Sequence, residues 1–132
     1  MRRVTHSLSA LLPALLLAGC LQFGNDQRES GPKYELATLL SGQIRNCWYG
    51  SGSTGFSAYA AESDINPQFN RARILLLPKE DLEAKPLLVI EAVNKTSRRA
   101  TVSAYGPLMQ GAQGERITAD LERWTSGSQA CS

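Results

Sequence analysis

Three short runs with a two-residue alternation constrain this chain most. They are Ala72-Arg73-Ile74-Leu75-Leu76-Leu77, Leu87-Leu88-Val89-Ile90-Glu91-Ala92-Val93 and Arg99-Ala100-Thr101-Val102-Ser103-Ala104-Tyr105. Successive side chains of a strand point to opposite faces, so Ala72, Ile74 and Leu76 share a face with Leu88, Ile90 and Ala92, and with Ala100, Val102 and Ala104. The other face takes Arg71, Arg73, Glu91, Arg99, Thr101, Ser103 and Tyr105. That division predicts an antiparallel sheet with one covered side and one wetter side. Pro78 ends the first run, a charged connection covers Lys79 to Lys85, and Asn94-Lys95-Thr96-Ser97 is a turn of hairpin length. Phe56 to Ala61 adds a short fourth strand.

The apolar face needs a cover, and two helical stripes supply it. Between Tyr34 and Trp48, Leu36, Leu39, Leu40, Ile44 and Cys47 recur at spacings of three and four, with Gly31-Pro32 as the start signal and Gly50 as the stop. Ile117, Leu121 and Trp124 mark a second amphipathic helix over Glu115 to Thr125, after a loop from Gly106 to Gly114. The expected fold is α+β: a two-layer sandwich in which an antiparallel sheet of three or four strands is covered by an N-terminal and a C-terminal helix. In outline this is similar to the C-terminal periplasmic domains of TonB and TolA, and Cys47-Trp48 at the end of the first helix resembles that group. The resemblance brings no motif that carries a function.

Upstream of the domain, Arg2 and Arg3 precede a short apolar run from Leu8 to Ala18. The run is well below the roughly 20 residues of a membrane-crossing helix, so it reads as a signal peptide. It ends in Leu17-Ala18-Gly19-Cys20, which resembles the lipobox of bacterial lipoproteins. The resemblance implies removal of residues 1–19, lipidation of Cys20 and a membrane partner reached through that lipid. Leu21 follows where an aspartate would favour inner-membrane retention, so the implied location is the outer membrane, the domain facing the periplasm or alternatively the cell surface. Residues 20–33 have linker composition, leaving residues 34–132 as one small domain.

Processing changes the composition in ways that exclude whole classes. The full chain has 14 basic and 12 acidic side chains; loss of Arg2 and Arg3 leaves 12 minus 12, a net charge of zero. No electrostatic footprint for nucleic acid remains. His6 is the single histidine and leaves with the signal, which removes histidine-dependent hydrolases and histidine-liganded zinc from consideration. No cofactor and no metal site is expected. With Cys20 acylated, Cys47 and Cys131 are left as a pair in an oxidising compartment and are expected to bond to each other. A redox-active pair would call for the close Cys-x-x-Cys spacing instead.

Few residues carry a chemical signal. Gly50-Ser51-Gly52-Ser53-Thr54-Gly55 matches G-x-G-x-x-G but follows a helix rather than a strand, the wrong context for a dinucleotide. Ser30-Gly31-Pro32-Lys33 matches Ser-x-x-Lys but lies in the linker. Glu80, Asp81 and Glu83 are the carboxylates available to an alternative reading as a small carboxylate-dependent periplasmic enzyme, which needs a cleft. Arg71, Arg73 and Arg99 form a candidate basic patch for phosphates of lipopolysaccharide or carboxylates of peptidoglycan. Trp48 and Tyr49, beside the glycine loop, are candidate contacts for an envelope protein or a sugar, with a core role as the plainer option. A third reading, inhibition of an envelope-directed enzyme such as lysozyme, calls for a protruding rigid loop at 50–55 or 106–114. The leading expectation is a non-enzymatic outer-membrane lipoprotein acting through envelope contacts.

Overall fold

The computed structural model describes residues 31–50 and 52–132. Cys20, His6, Ser30 and the lipobox lie outside them. The described chain runs α1 (Pro32–Trp48), β1 (Tyr59–Asn66), β2 (Arg71–Pro78), β3 (Leu88–Thr96), β4 (Arg99–Tyr105) and α2 (Gly111–Thr125), with short 3-10 turns at Pro67–Phe69 and Pro107–Met109. The strands form one antiparallel meander in the order β1-β2-β3-β4. This is the α+β sandwich that the alternation and the two stripes predict.

The register brings Ile74 opposite Ile90, and Ile90 opposite Ala104, so the apolar alternation of three strands is in phase. Ile74, Leu76, Leu88 and Ile90 are almost fully buried beneath α1 and α2, joined by Leu40, Ile44, Ile117 and Leu121. One end of the same face is lined by alanine: Ala37 of α1 packs with Ala72 and Ala92. The buried stripe of the helix therefore runs through Ala37 as well as Leu40 and Ile44. Leu39, expected in the stripe, is 42% exposed, whereas Ala37 and Ser41 face inward. Ser41 Oγ lies 2.6 Å from Ser63 Oγ, so the polar pair beneath the helix is satisfied.

Four boundaries differ from the sequence reading. The first strand spans Tyr59–Asn66 rather than Phe56 to Ala61, and Phe56 instead enters the core with no exposed surface. The hairpin is tighter than Asn94 to Ser97: both strands continue to Thr96 and Arg99, with a bulge between Asn94 and Thr96. The second helix starts at Gly111, not Glu115. Lys33 is no linker residue. It lies in the first turn of α1 and is buried, its Nζ donating to Asn70 Oδ1 (2.6 Å) and Asn70 O (3.1 Å), while its backbone N–H donates to Asn94 Oδ1 at 3.0 Å. The last bond satisfies one of the orphan amides at the helix start, where Gly31 offers no side-chain cap.

Gly106 shows why the chain can turn from β4 into α2. Its φ is +127°, and a Cβ there would sit 2.5 Å from Leu87 O. Only glycine combines that backbone with that approach.

Candidate functional site

Two constellations dominate the described residues, one inside and one on the surface. The interior one is aromatic. Trp48, 1% exposed, stacks on Phe56 with ring centroids 4.1 Å apart and an interplanar angle of 7°, and Trp124 lies tilted at 5.6 Å. At its centre stands Asp120, fully buried, which accepts 2.7 Å hydrogen bonds from Trp48 Nε1 and from the Arg123 guanidinium, with Arg116 Nε at 3.9 Å. The indole N–H is buried and needs an acceptor, and the carboxylate needs cations; each answers the other. Asp120 was not singled out from the sequence, although a signal exists. Ile117, Asp120, Leu121 and Trp124 share one helical stripe, so the acid falls on an apolar face.

This arrangement takes Trp48 off the surface, which corrects its candidacy as a contact residue. Tyr49 is half-buried, and its hydroxyl is enclosed without a hydrogen-bond partner among the described residues. Burial, with a smaller contribution from nearby Tyr59, pushes its pKa up to about 12. The same end of the molecule is closed covalently by the Cys47–Cys131 bond, with Cα atoms 5.2 Å apart. Arg123 and Trp124 both donate to Ala130 O, at 3.1 and 3.2 Å, so the last residues are drawn back over α1 and α2.

The glycine segment is held by α2 rather than poised around a ligand. Arg116 donates to Thr54 O at 2.6 Å, and Gln113 Nε2 donates to Gly55 O at 3.2 Å. The carbonyls of Thr54 and Gly55 are thus engaged by side chains of a distant helix. Residues 106–114 do not protrude as a long loop either, since a 3-10 turn leads into α2 at Gly111.

On the surface, both helices lie on one side of the sheet, and no described helix covers the opposite side, where Leu77 alone of its apolar side chains is buried. It carries Leu75 and Val89, both partly exposed, Val93 at 43% exposure and Tyr105 at 48%. Between them runs a polar row. Asp64 of β1 pairs with Arg71 Nε at 3.1 Å and with Arg73 through a 2.5 Å contact, and Arg73 stands opposite Glu91 in the register. The hydrogen bond to Asp64 holds the Arg73 guanidinium pKa above its ordinary value. Two arginines, Asp64 and Glu91 sum to zero charge, so Arg71 and Arg73 are no basic patch by themselves. Arg99 does not join them: it pairs with Thr96 at the tip of the β3-β4 hairpin. There it stands exposed with Lys95 and Arg98, and none of the three is in an ion pair among the described residues.

Glu80, Asp81 and Glu83 are all exposed on the β2-β3 connection at the far end of the sheet. Shallow grooves flank the helices. One, of about 560 Å³, runs along the outer side of α1 past Tyr34, Leu39 and Gln43 to Gln129; another, of about 220 Å³, lies between the inner face of β4 and α2, lined by Val102, Ala104, Met109 and Leu121. Among the described residues no group of three or more His, Cys, Asp or Glu side chains is placed to hold a metal ion. No described helix is long and apolar enough to cross a membrane. No family model, curated protein or solved structure matches this chain.

Proposed function

We propose that this chain is a lipid-anchored, non-enzymatic protein of the bacterial envelope that binds a partner protein through the face of its sheet opposite the helices. The anchor rests on the sequence, on Leu17-Ala18-Gly19-Cys20 after a basic and apolar leader. The observation that supports binding is that both helices occupy one side of the sheet, leaving Leu75, Val89, Val93 and Tyr105 beside a neutralised Asp64-Arg71-Arg73-Glu91 row. Protein interfaces favour this mixture, with an aromatic anchor, aliphatic area and charges already paired before contact. A pre-paired row also loses less on desolvation than lone charges would. The carboxylate-enzyme alternative calls for a cleft around Glu80, Asp81 or Glu83, and those side chains project into solvent from a turn. The test is affinity purification of the lipidated protein from crosslinked envelopes. A reproducible partner that is lost with Tyr105→Glu and kept with Glu83→Gln supports the reading. No reproducible partner, or one indifferent to Tyr105, overturns it.

A further inference from the structure

One end of the sheet carries a cluster of exposed cations. α1 begins at the end of the sheet that carries the β1-β2 turn and the β3-β4 hairpin, since Lys33 bonds to Asn70 of the first and Asn94 beside the second. At this end Lys95, Arg98 and Arg99 stand exposed and outside any ion pair among the described residues, whereas Lys33 is buried against Asn70 and Arg71 is paired with Asp64. The opposite end has Glu80, Asp81 and Glu83 against Lys79 and Lys85. Phe69 also belongs to the basic end; it is 66% exposed at the tip of its turn, with the Arg71 guanidinium 5.1 Å from its ring centre.

We infer that this basic end is a membrane-facing foot, in which Lys95, Arg98 and Arg99 meet the phosphates of anionic phospholipids and Phe69 sits at headgroup level. The inference rests on the lipid-anchor reading and deepens it. Gly31, where the described chain begins, is at this same end, eleven positions after Cys20 with ten residues between them. Fully extended, this segment reaches at most about 40 Å. A strand of nine residues such as β3 is itself about 30 Å long, so bringing the acidic end to the bilayer would use most of that reach. The basic end is therefore the one that the anchor brings to the lipid with the least extension. Complementary charge then sets the orientation: lysines and arginines near an anionic leaflet are attracted within a Debye length, while the carboxylates of the far end are repelled. An exposed aromatic ring at the same level suits the interfacial zone, which favours amphipathic and aromatic side chains.

The experiment uses the mature lipidated chain reconstituted into vesicles of phosphatidylethanolamine with phosphatidylglycerol, or of phosphatidylcholine alone. An environment-sensitive fluorophore is placed by Ser97→Cys at the basic end or by Ala84→Cys at the acidic end. The expected result is a blue-shifted, brighter signal at 97 in the anionic vesicles only, lost at high salt, with no change at 84. Removing one charge should lower the docked-to-undocked ratio about fivefold, so Lys95→Gln, Arg98→Gln and Arg99→Gln together lower it on the order of a hundredfold. No response at 97 in the anionic vesicles, equal signals at both ends, or persistence in the triple variant overturns the inference. The anchor is read separately from the mass of the purified chain. If Cys20 proves unmodified, the anchor reading fails alone, and the Cys20→Ser, Ser97→Cys chain mixed with the same vesicles still reports on the basic end.

Discussion

Replacing Asp120 with alanine tests the interior constellation most directly. The carboxylate has no exposed surface and is the acceptor for the Trp48 indole at 2.7 Å, and Trp48 itself is 1% exposed. Truncation therefore strands a buried N–H, at about 1–3 kcal/mol. It also breaks the 2.7 Å contact with Arg123, whose side chain is 26% exposed and recovers part of its hydration. Together these give a loss of about 3 kcal/mol, at the lower edge of what breaking a buried charged pair costs. In a domain of about a hundred residues this is a large share of the total, and it lowers the melting temperature by roughly 12–24 °C. Urea unfolding followed by far-ultraviolet circular dichroism measures it without relying on tryptophan emission. Asp120→Asn keeps an acceptor for the indole and should lose about half as much. In a Trp48→Phe background the donor is absent, so Asp120→Ala should cost about 1–3 kcal/mol less than in the native chain. If the substitution costs the same in both backgrounds, the indole–carboxylate bond is not what holds α1 to α2.

Three further outcomes follow from the same geometry. Reducing the Cys47–Cys131 bond, or replacing both cysteines with alanine, opens a loop of 84 residues' separation and should lower stability by about 4–5 kcal/mol, read as a shift in the urea midpoint. Tyr49→Phe removes an enclosed hydroxyl that has no partner among the described residues and should be neutral or stabilising by up to about 1 kcal/mol. Because the folded pKa of Tyr49 is raised to about 12 from 10.0, its contribution is fully present below pH 10 and is lost as pH rises toward 12; urea midpoints at pH 9 and pH 11 should converge partly in Tyr49→Phe. A chain starting at Tyr34 loses the Lys33 bonds and should be about 1–3 kcal/mol less stable by thermal melting than one starting at Gly31.

Much of the sheet was legible because its inner alternation is apolar and its neighbours are sequential. β1 was legible only in part, since Glu62-Ser63-Asp64 hides the period: Ser63 faces inward but is satisfied by Ser41, and Asp64 faces out to two arginines. The start of α2 was obscured by Gly111 and Gly114, poor helix formers. Gly114 is there for room, since a Cβ on it would come within 2.0 Å of Met109 O. Lys33 looked like linker because lysine is seldom buried, and its partner Asn70, at a φ of 56°, is 37 residues away. For the surface, the sequence supplied the right residue types but not their grouping. Arg71 and Arg73 belong with Asp64, and Arg99 with Lys95 and Arg98, because strand register decides adjacency.

The meander also has a kinetic meaning. Every strand pairs with its neighbour in sequence, so the sheet assembles through short loop closures, which are fast. The contacts that span the chain belong to the helices: Trp48 to Asp120 across 72 residues, and Cys47 to Cys131 across 84. Such a chain divides into a quickly formed ribbon and a slowly closed clasp. Hydrogen exchange in reductant should then release the amides of α2 before those of β2 and β3, leaving the strands paired while the clasp opens.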